Sequence, residues 1–439
     1  MAADAEKKNI VIIGGGIIGC TSAYFLTRHP SYDPSKHTIT LLEATKIAGG
    51  ASGKAGGLLA LWAYPSSIVP LSYRLHEQLA KEHGGADRWG YRKLHVGQVD
   101  CRGRAFEKPS KSTVNGKDAE MDGEAGDTKA ERNGEAHVSL QKRSKEAMAK
   151  LQAAGMPKEL DWVSPDCDPV YDEMGDPSTT AQVHPYQFTT AMADLAAEKG
   201  ADIRTGASVT GINYSASGAV ESVTYTDKSS NEPTTLPATD VILSAGPWTQ
   251  SVYPPTPIAA LRAHSVTIRP SRPVSAFALF THIALPPKDA KKKKPTGSKW
   301  FSSSQGSETV TPEIYARPHN EVYACGEGDR LVPLPASTDL VECDEARCQD
   351  IVDHVSSISD ELRDGEVTAR QACYLPNVNA GSGGPLVGRT GVEGLWMAAG
   401  HTCWGIQNGP GTGKLVSEFV FEGEAKSAKV KGLDPRNVL

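Results

Sequence analysis

No apolar stretch of the 439-residue chain reaches the roughly 18 residues that a membrane helix needs, so no membrane span is expected. Positive charge is not in excess. The formal net charge is -6, which excludes the broad basic field of a nucleic-acid binder. The eight cysteines have no close, regular spacing, which argues against a disulfide framework. Cys343 and Cys348 are not a CxxC pair, so a disulfide reductase is not expected. His76, His83 and His95 fall on different predicted elements and nothing has zinc-ligand spacing, so no metal is expected. There is no internal repeat. Met1–Lys8 is polar and lacks the apolar core of a secretory signal, and Asn437–Leu439 is not a peroxisomal address. Together these absences read as an intracellular, reduced, cytoplasmic protein.

What is present begins with a βαβ opening. Asn9–Ile13 is a short apolar strand, Ile17–Thr27 has helical apolar spacing, and Thr38–Leu42 is a β-branched strand ending at Glu43. Between strand and helix stand Gly14, Gly16 and Gly19 in GxGxxG spacing. The first glycine makes the tight turn, the second lets backbone approach a pyrophosphate, and the third lets helix and strand pack closely. The helix start at Ile17 and Ile18 offers unpaired N–H groups to phosphate oxygens. Glu43, followed by Ala44, sits where a ribose hydroxyl acceptor belongs, and it disfavours the 2′-phosphate of NADP. The fingerprint does not separate NAD from FAD.

Directly after the acid, residues 46–59 read KIAGGASGKAGGLL. Gly50, Ala51, Ser52, Gly53, Lys54, Ala55, Gly56, Gly57 and Leu58 would let backbone pass close to a large planar ligand, with Ser52 and Lys54 as polar contacts. The plain alternative is a flexible loop. Further on, helices are expected over Ser72–Glu82, Ser139–Ala153, Gln187–Lys199 and Lys414–Phe421. Strands are expected at Ala201–Gly211, Asp240–Leu243 and Leu395–Ala399, and 255–370 reads as strand-rich. Residues 107–135 and 288–307 are charged and poor in large apolar side chains, and they read as exposed, mobile insertions. The lysine run Lys291–Lys294 reads as part of a solvated loop.

At this point the chain resembles the D-amino-acid oxidase/glycine oxidase/sarcosine oxidase superfamily of FAD-dependent oxidoreductases. The pieces that carry it are Gly14–Gly19 with Glu43, Gly50–Gly57, SAGPW at 244–248, GPLVG at 384–388, GHTCWG at 400–405 and GPGTGK at 409–414. The wording of the last two is nearest to a fungal and plant branch of oxidoreductases. GPGTGK is not the phosphate loop of nucleoside triphosphatases, because Asn408 and Leu415 stand where that loop needs Gly and Ser or Thr.

The resemblance implies an α/β fold (α+β overall). In it a Rossmann-like FAD-binding domain, 1–80, 178–250 and 370–439, interweaves with a mainly antiparallel β substrate domain, 81–177 and 251–369. It implies FAD contacts from Val209, Ala245, Gly246, Trp248, Gly400, His401, Cys403, Trp404, Gly405 and Ile406. It also implies that Gly411, Thr412, Gly413 and Lys414 form a helix start aimed at the flavin. Cys373 falls where some relatives carry a cysteine joined covalently to FAD, and its alternative is a small buried thiol. Leu375 stands where amino-acid-oxidising relatives carry a carboxylate-clamping arginine, which leaves Arg370 as a substitute. Lys54, His401, Trp404, Tyr374 and Arg370 are the candidate catalytic residues. The implied activity is oxidation of the C–N bond of an amine or amino acid by hydride transfer to flavin N5, with oxygen or another acceptor completing the cycle. Two other readings stay open at this stage: an FAD-binding interaction or trafficking protein with little turnover, and an NAD-linked dehydrogenase.

Overall fold

The computed structural model describes residues 7–105, 155–286, 308–381 and 383–439. The insertions expected near 107–135 and 288–307, and the helix expected over Ser139–Ala153, lie outside the described residues.

A six-stranded sheet runs in the order Leu386–Arg389, Leu395–Ala399, Asp240–Leu243, Lys8–Ile13, His37–Glu43, Asp202–Thr205. All neighbours are parallel except the first two. Its central strands are apolar on both faces, as a sheet covered on both sides requires, while the edge strand Asp202–Thr205 is polar. Ile10 and Ile12 pack towards the helices Ile17–Leu26 and Pro185–Ala197. Val11 and Ile13 pack towards a three-stranded sheet made of Ala207–Tyr214, Val220–Asp227 and Pro233–Pro237.

The largest sheet is mainly antiparallel. Its path is Glu366–Val378, Ile258–Arg269, Glu321–Cys325, Glu313–Arg317, Phe277–Ala284, His95–Arg102, Val170–Gly175. One neighbouring pair, Phe277–Ala284 with His95–Arg102, is parallel. Helix Glu345–Ser356 covers one face through Cys348, Ile351 and Val355. The chain passes between the two large sheets several times, so each is assembled from distant segments. Strand Glu366–Val378 pairs along its length with Ile258–Arg269, so residues 370–378 belong to this sheet, across the boundary expected at 370.

The clearest departure from the sequence reading is the last long helix. It spans Gly405–Glu422 and starts nine residues before the expected Lys414. Glycine and proline in GPGTG disfavour a helix interior by propensity, and packing overrides that. Pro410 has no N–H for the Ile406 carbonyl, and His76 Nε2, 2.9 Å away, takes its place. The Ser72 hydroxyl enters the same break, donating to the Gln407 carbonyl (2.7 Å) and accepting from the Gly411 N–H (2.9 Å). Gly413 meets the opening helix so closely that a Cβ there would lie 2.6 Å from the Thr21 carbonyl.

In an ordinary helix interior Gly413→Ala would stabilise by about 1 kcal/mol through propensity. Here the added carbon must separate two packed backbones, and overpacking of about 1–3 kcal/mol wins. Gly413→Ala is therefore expected to lower the urea unfolding midpoint, and a raised midpoint would contradict this packing account.

Candidate functional site

A cleft of about 1280 Å3, counted to its open mouth, lies at the carboxyl ends of the parallel strands. Ile13, Glu43, Ser244 and Ala399, each at or just past a strand end, line it. In open α/β sheets, ligands bind at this edge. Two geometric demands explain the glycines here. Gly14 has φ 110°, and a Cβ on Gly19 would sit 2.0 Å from the Gly14 carbonyl. The strand can therefore turn sharply and deliver the first helical turn at Ile17 and Ile18 to the cleft wall. That turn has no intrahelical acceptors for its N–H groups. Ser52 Oγ accepts one of them, from Ile17, at 2.9 Å.

Glu43 also lines the cleft. One carboxylate oxygen accepts the Gly15 N–H (2.8 Å) and the other the Thr45 N–H (2.9 Å). This fixes the carboxylate at the cleft wall, where its remaining lone pairs can accept hydroxyl groups. The last long helix also begins here, and Gly400, His401, Thr402, Cys403, Gly405 and Ile406 form this part of the wall. The cleft therefore receives two helix starts, each with partial positive charge, together with a fixed carboxylate. That set fits a pyrophosphate, a ribose and a long planar group, as FAD requires.

Most of the residues expected to contact a cofactor lie on this wall. They are Gly14, Gly16, Ile17, Ile18, Glu43, Ala44, Gly50, Ala51, Ser52, Ala55, Val209, Ala245, Gly246, Trp248, Gly400, His401, Cys403, Gly405 and Ile406. Others are placed differently. Gly411, Thr412, Gly413 and Lys414 do not start a helix. They are in its second and third turns, with Gly411 and Gly413 packed on Ser72 and Thr21 of neighbouring helices, Thr412 hydrogen-bonded to His401 and Lys414 paired with Glu418 at 3.3 Å. Gly56 faces the Tyr315 ring, and Leu58 begins a small sheet with Thr180–Gln182.

Of the candidate catalytic residues, Arg370 is turned away from the cleft, to Gln349 (2.6 Å) and Glu345 (3.4 Å). The Tyr374 hydroxyl is spent on the carbonyls of Val332 and Pro333, both at 3.0 Å. Lys54 donates to the Ala372 carbonyl at 2.8 Å, next to Cys373, and burial lowers its pKa. Burial also pushes the Cys373 thiol up to about 11. Trp404 joins a cluster of aromatic side chains above the largest sheet. His401 lies on the wall, buried, with Nε2 2.9 Å from Thr412 Oγ1, and burial drives its pKa down to about 3. It is neutral at physiological pH and can neither pair with an anion nor act as a charged acid.

Sequence reasoning missed Ser337 and Thr338, which line the cleft from a loop almost 300 residues away from the glycine run. No local pattern marks them. It also missed Trp62 and Tyr64, which flank the mouth of the aromatic cluster. Their signal was available: two aromatics immediately follow the glycine-rich run.

The comparisons with known proteins agree with this geometry. The family model described as FAD dependent oxidoreductase (DAO) matches residues 9–419. A Saccharomyces cerevisiae protein described as "putative oxidoreductase" is 35% identical, covering 98% of this chain and 94% of its own length. A Schizosaccharomyces pombe protein with the same description is 32% identical, covering 99% of this chain and 100% of its own. Among solved structures, glycine oxidase from Geobacillus kaustophilus superposes with a TM-score of 0.64 at 17% identity, covering 98% of each chain. That last likeness is one of fold.

Two buried imidazoles brace the start of the last helix: His401, and His76, whose pKa burial lowers to about 4. A histidine of lowered folded pKa favours the folded state fully above its unfolded value near 6.5, and that advantage is lost as pH falls through the folded value. The melting temperature is expected to fall from pH 6.5 towards pH 4, with His76→Gln flattening part of the slope. An unchanged melting temperature across this range would contradict the buried neutral state.

Proposed function

The chain belongs to the DAO family of FAD-dependent oxidoreductases, and we propose that it oxidises the C–N bond of a small amine, with oxygen as acceptor and hydrogen peroxide as product. The observation that carries the reading is the cleft. Two helix starts and one fixed carboxylate meet there, and among the described residues that line it the histidine, His401, is buried and neutral. FAD, when bound, supplies the hydride acceptor, so the protein's work is to bind, orient and exclude water.

In this reading the parallel sheet holds the cofactor and the mainly antiparallel sheet holds the substrate. Glu43 accepts the ribose hydroxyls. The N–H groups around Gly16–Ile18 receive the pyrophosphate. The start of the last helix, at Gly405 and Ile406, would present its partial positive charge to the flavin ring system. Lys54, tied by its hydrogen bond to the strand that carries Cys373, would be the nearest lysine to the bound flavin and the candidate cation for its reaction with oxygen. The neutral amine would lose a hydride from carbon and a proton from nitrogen to become an imine, which water hydrolyses to a carbonyl compound and ammonia or a smaller amine.

Cys373 remains a free thiol in this account, because the thiolate is the nucleophile and burial holds this group protonated. The purified protein is expected to show flavin absorption bands, with all colour released to the supernatant on acid precipitation. Colour retained in the pellet, and lost from it in Cys373→Ala, would show a covalent bond instead. Gly14→Val is expected to abolish flavin binding, since the turn needs φ 110° and a Cβ would meet the Ser244 carbonyl at 2.5 Å. A colourless wild-type protein that takes up no added FAD would overturn the whole reading. Flavin reduction by no amine tested under anaerobic conditions, with FAD tightly bound, would favour a role without turnover.

A further inference from the structure

Strand Glu313–Arg317 runs through the middle of the largest sheet, and its alternation sorts side chains to two faces. Ile314 and Ala316 join the core under helix Glu345–Ser356. Glu313, Tyr315 and Arg317 therefore project to the opposite face. Arg317 donates there to the carbonyls of Ala55 and Gly56, which places that face against the glycine run.

Glu313 is an unusual residue to find there. Its cross-strand neighbours are Phe280 on one side and Cys325 on the other. Its carboxylate accepts the Tyr315 hydroxyl, and Cys325 Sγ is 3.9 Å away. Among the described residues no lysine, arginine or histidine pairs with it. Burial raises its pKa. An anionic carboxylate kept among apolar groups without a cation is costly, and such groups are normally paired.

The surroundings are aromatic. Tyr64, Trp404, Trp62, Phe280 and Tyr315 form a chain of ring contacts with successive centroids 5.9, 5.6, 6.1 and 6.4 Å apart. Trp62 is 39% exposed and Tyr64 52%, so the end of this aromatic basin away from Glu313 reaches solvent. At its other side the Tyr64 hydroxyl lies 3.5 Å from Thr402 Oγ1 and 3.6 Å from Cys403 Sγ, both residues of the cofactor cleft wall. Ring faces attract cations and do nothing for anions. Of the nearby cations, Lys54 is turned to a main-chain carbonyl and Arg317 to two main-chain carbonyls and the Glu321 carboxylate (2.8 Å), and Leu375, whose side chain is hydrocarbon, lines the cleft.

We propose that Glu313 and these aromatic side chains form the substrate-recognition site, and that it takes an organic cation, an amine that arrives as its ammonium ion, pairs with the Glu313 carboxylate and gives up its proton to that carboxylate before hydride leaves the adjacent carbon, with no carboxylate required on the substrate. The proposal rests on the amine-oxidising reading and names its substrate class. Glu313 is the specificity-determining residue.

The test uses the full-length holoprotein and two isosteric probes that carry no oxidisable C–N carbon, benzamidinium and benzoate. Binding is followed by tryptophan fluorescence and by the flavin difference spectrum. Benzamidinium is expected to bind at least about tenfold tighter than benzoate. Glu313→Gln is expected to weaken benzamidinium by about tenfold or more and to leave benzoate unchanged, whereas Glu313→Asp retains the preference for the cation. Equal or tighter binding of benzoate to the wild-type protein would overturn the proposal, even if the Glu313→Gln variant did not fold. An unchanged benzamidinium affinity in a folded Glu313→Gln variant would overturn it as well. Flavin bands together with preference for the anion would sink this inference alone. Absence of flavin would sink the reading beneath it.

Discussion

The close contact between the opening helix and the last long helix is the constraint on which the site depends. Both helices begin at the cleft, and their mutual position sets where two positive helix ends point. That position is possible because Gly409 and Gly413 bring no side chain to the contact, and the Thr21 hydroxyl lies 2.9 Å from the Gly409 carbonyl. The segment that makes this contact is poor helix-forming sequence. Its helical state is supported from outside by Ser72 and His76, which satisfy main-chain groups that Pro410 leaves open. Local propensity is given up here to gain a backbone-to-backbone approach that a better helix former would block.

This trade explains which parts of the molecule were legible in the sequence. The opening βαβ unit was readable because periodicity, glycine spacing and acid all lie within 43 residues and agree with one another. Strands Asp240–Leu243 and Leu395–Ala399 were readable as short β-branched or apolar runs. The start of the last helix was not readable, because GPGTG disfavours helix and the groups that offset this tendency sit more than 300 residues earlier. Arg370 and Tyr374 illustrate a second kind of blindness. The alternation of strand Glu366–Val378 decides which side chains face the cleft, and only the pairing with Ile258–Arg269 fixes that alternation in space. Leu375 faces the cleft while Tyr374 and Arg370 are committed elsewhere.

The electrostatic design of the cleft follows from burial more than from charged side chains. His401 and His76 are neutral because they are enclosed, and the positive potential at the helix starts comes from main-chain dipoles. Dipoles fixed by a helix cannot be neutralised by a proton, so the site keeps the same field over a wide pH range. Mobile charges would instead have to be desolvated each time a ligand entered.

The same period-two logic separates stability from chemistry in the largest sheet. Along Glu313–Arg317, the residues that meet helix Glu345–Ser356 are Ile314 and Ala316, which serve only to fill the core. Those on the opposite face are a carboxylate, a phenol and a guanidinium. A one-residue slip of this strand would bury all three against the helix and turn the apolar pair toward the glycine run and the aromatic side chains. Register is therefore enforced by the core while the other face is free to be polar. The guanidinium anchors the glycine run to the sheet, the phenol holds the carboxylate, and among the described residues no cation pairs with that carboxylate. Each residue on that face is positioned by a contact that the core has already made rigid, and this is how the sheet keeps a carboxylate at a fixed place close to the glycine run.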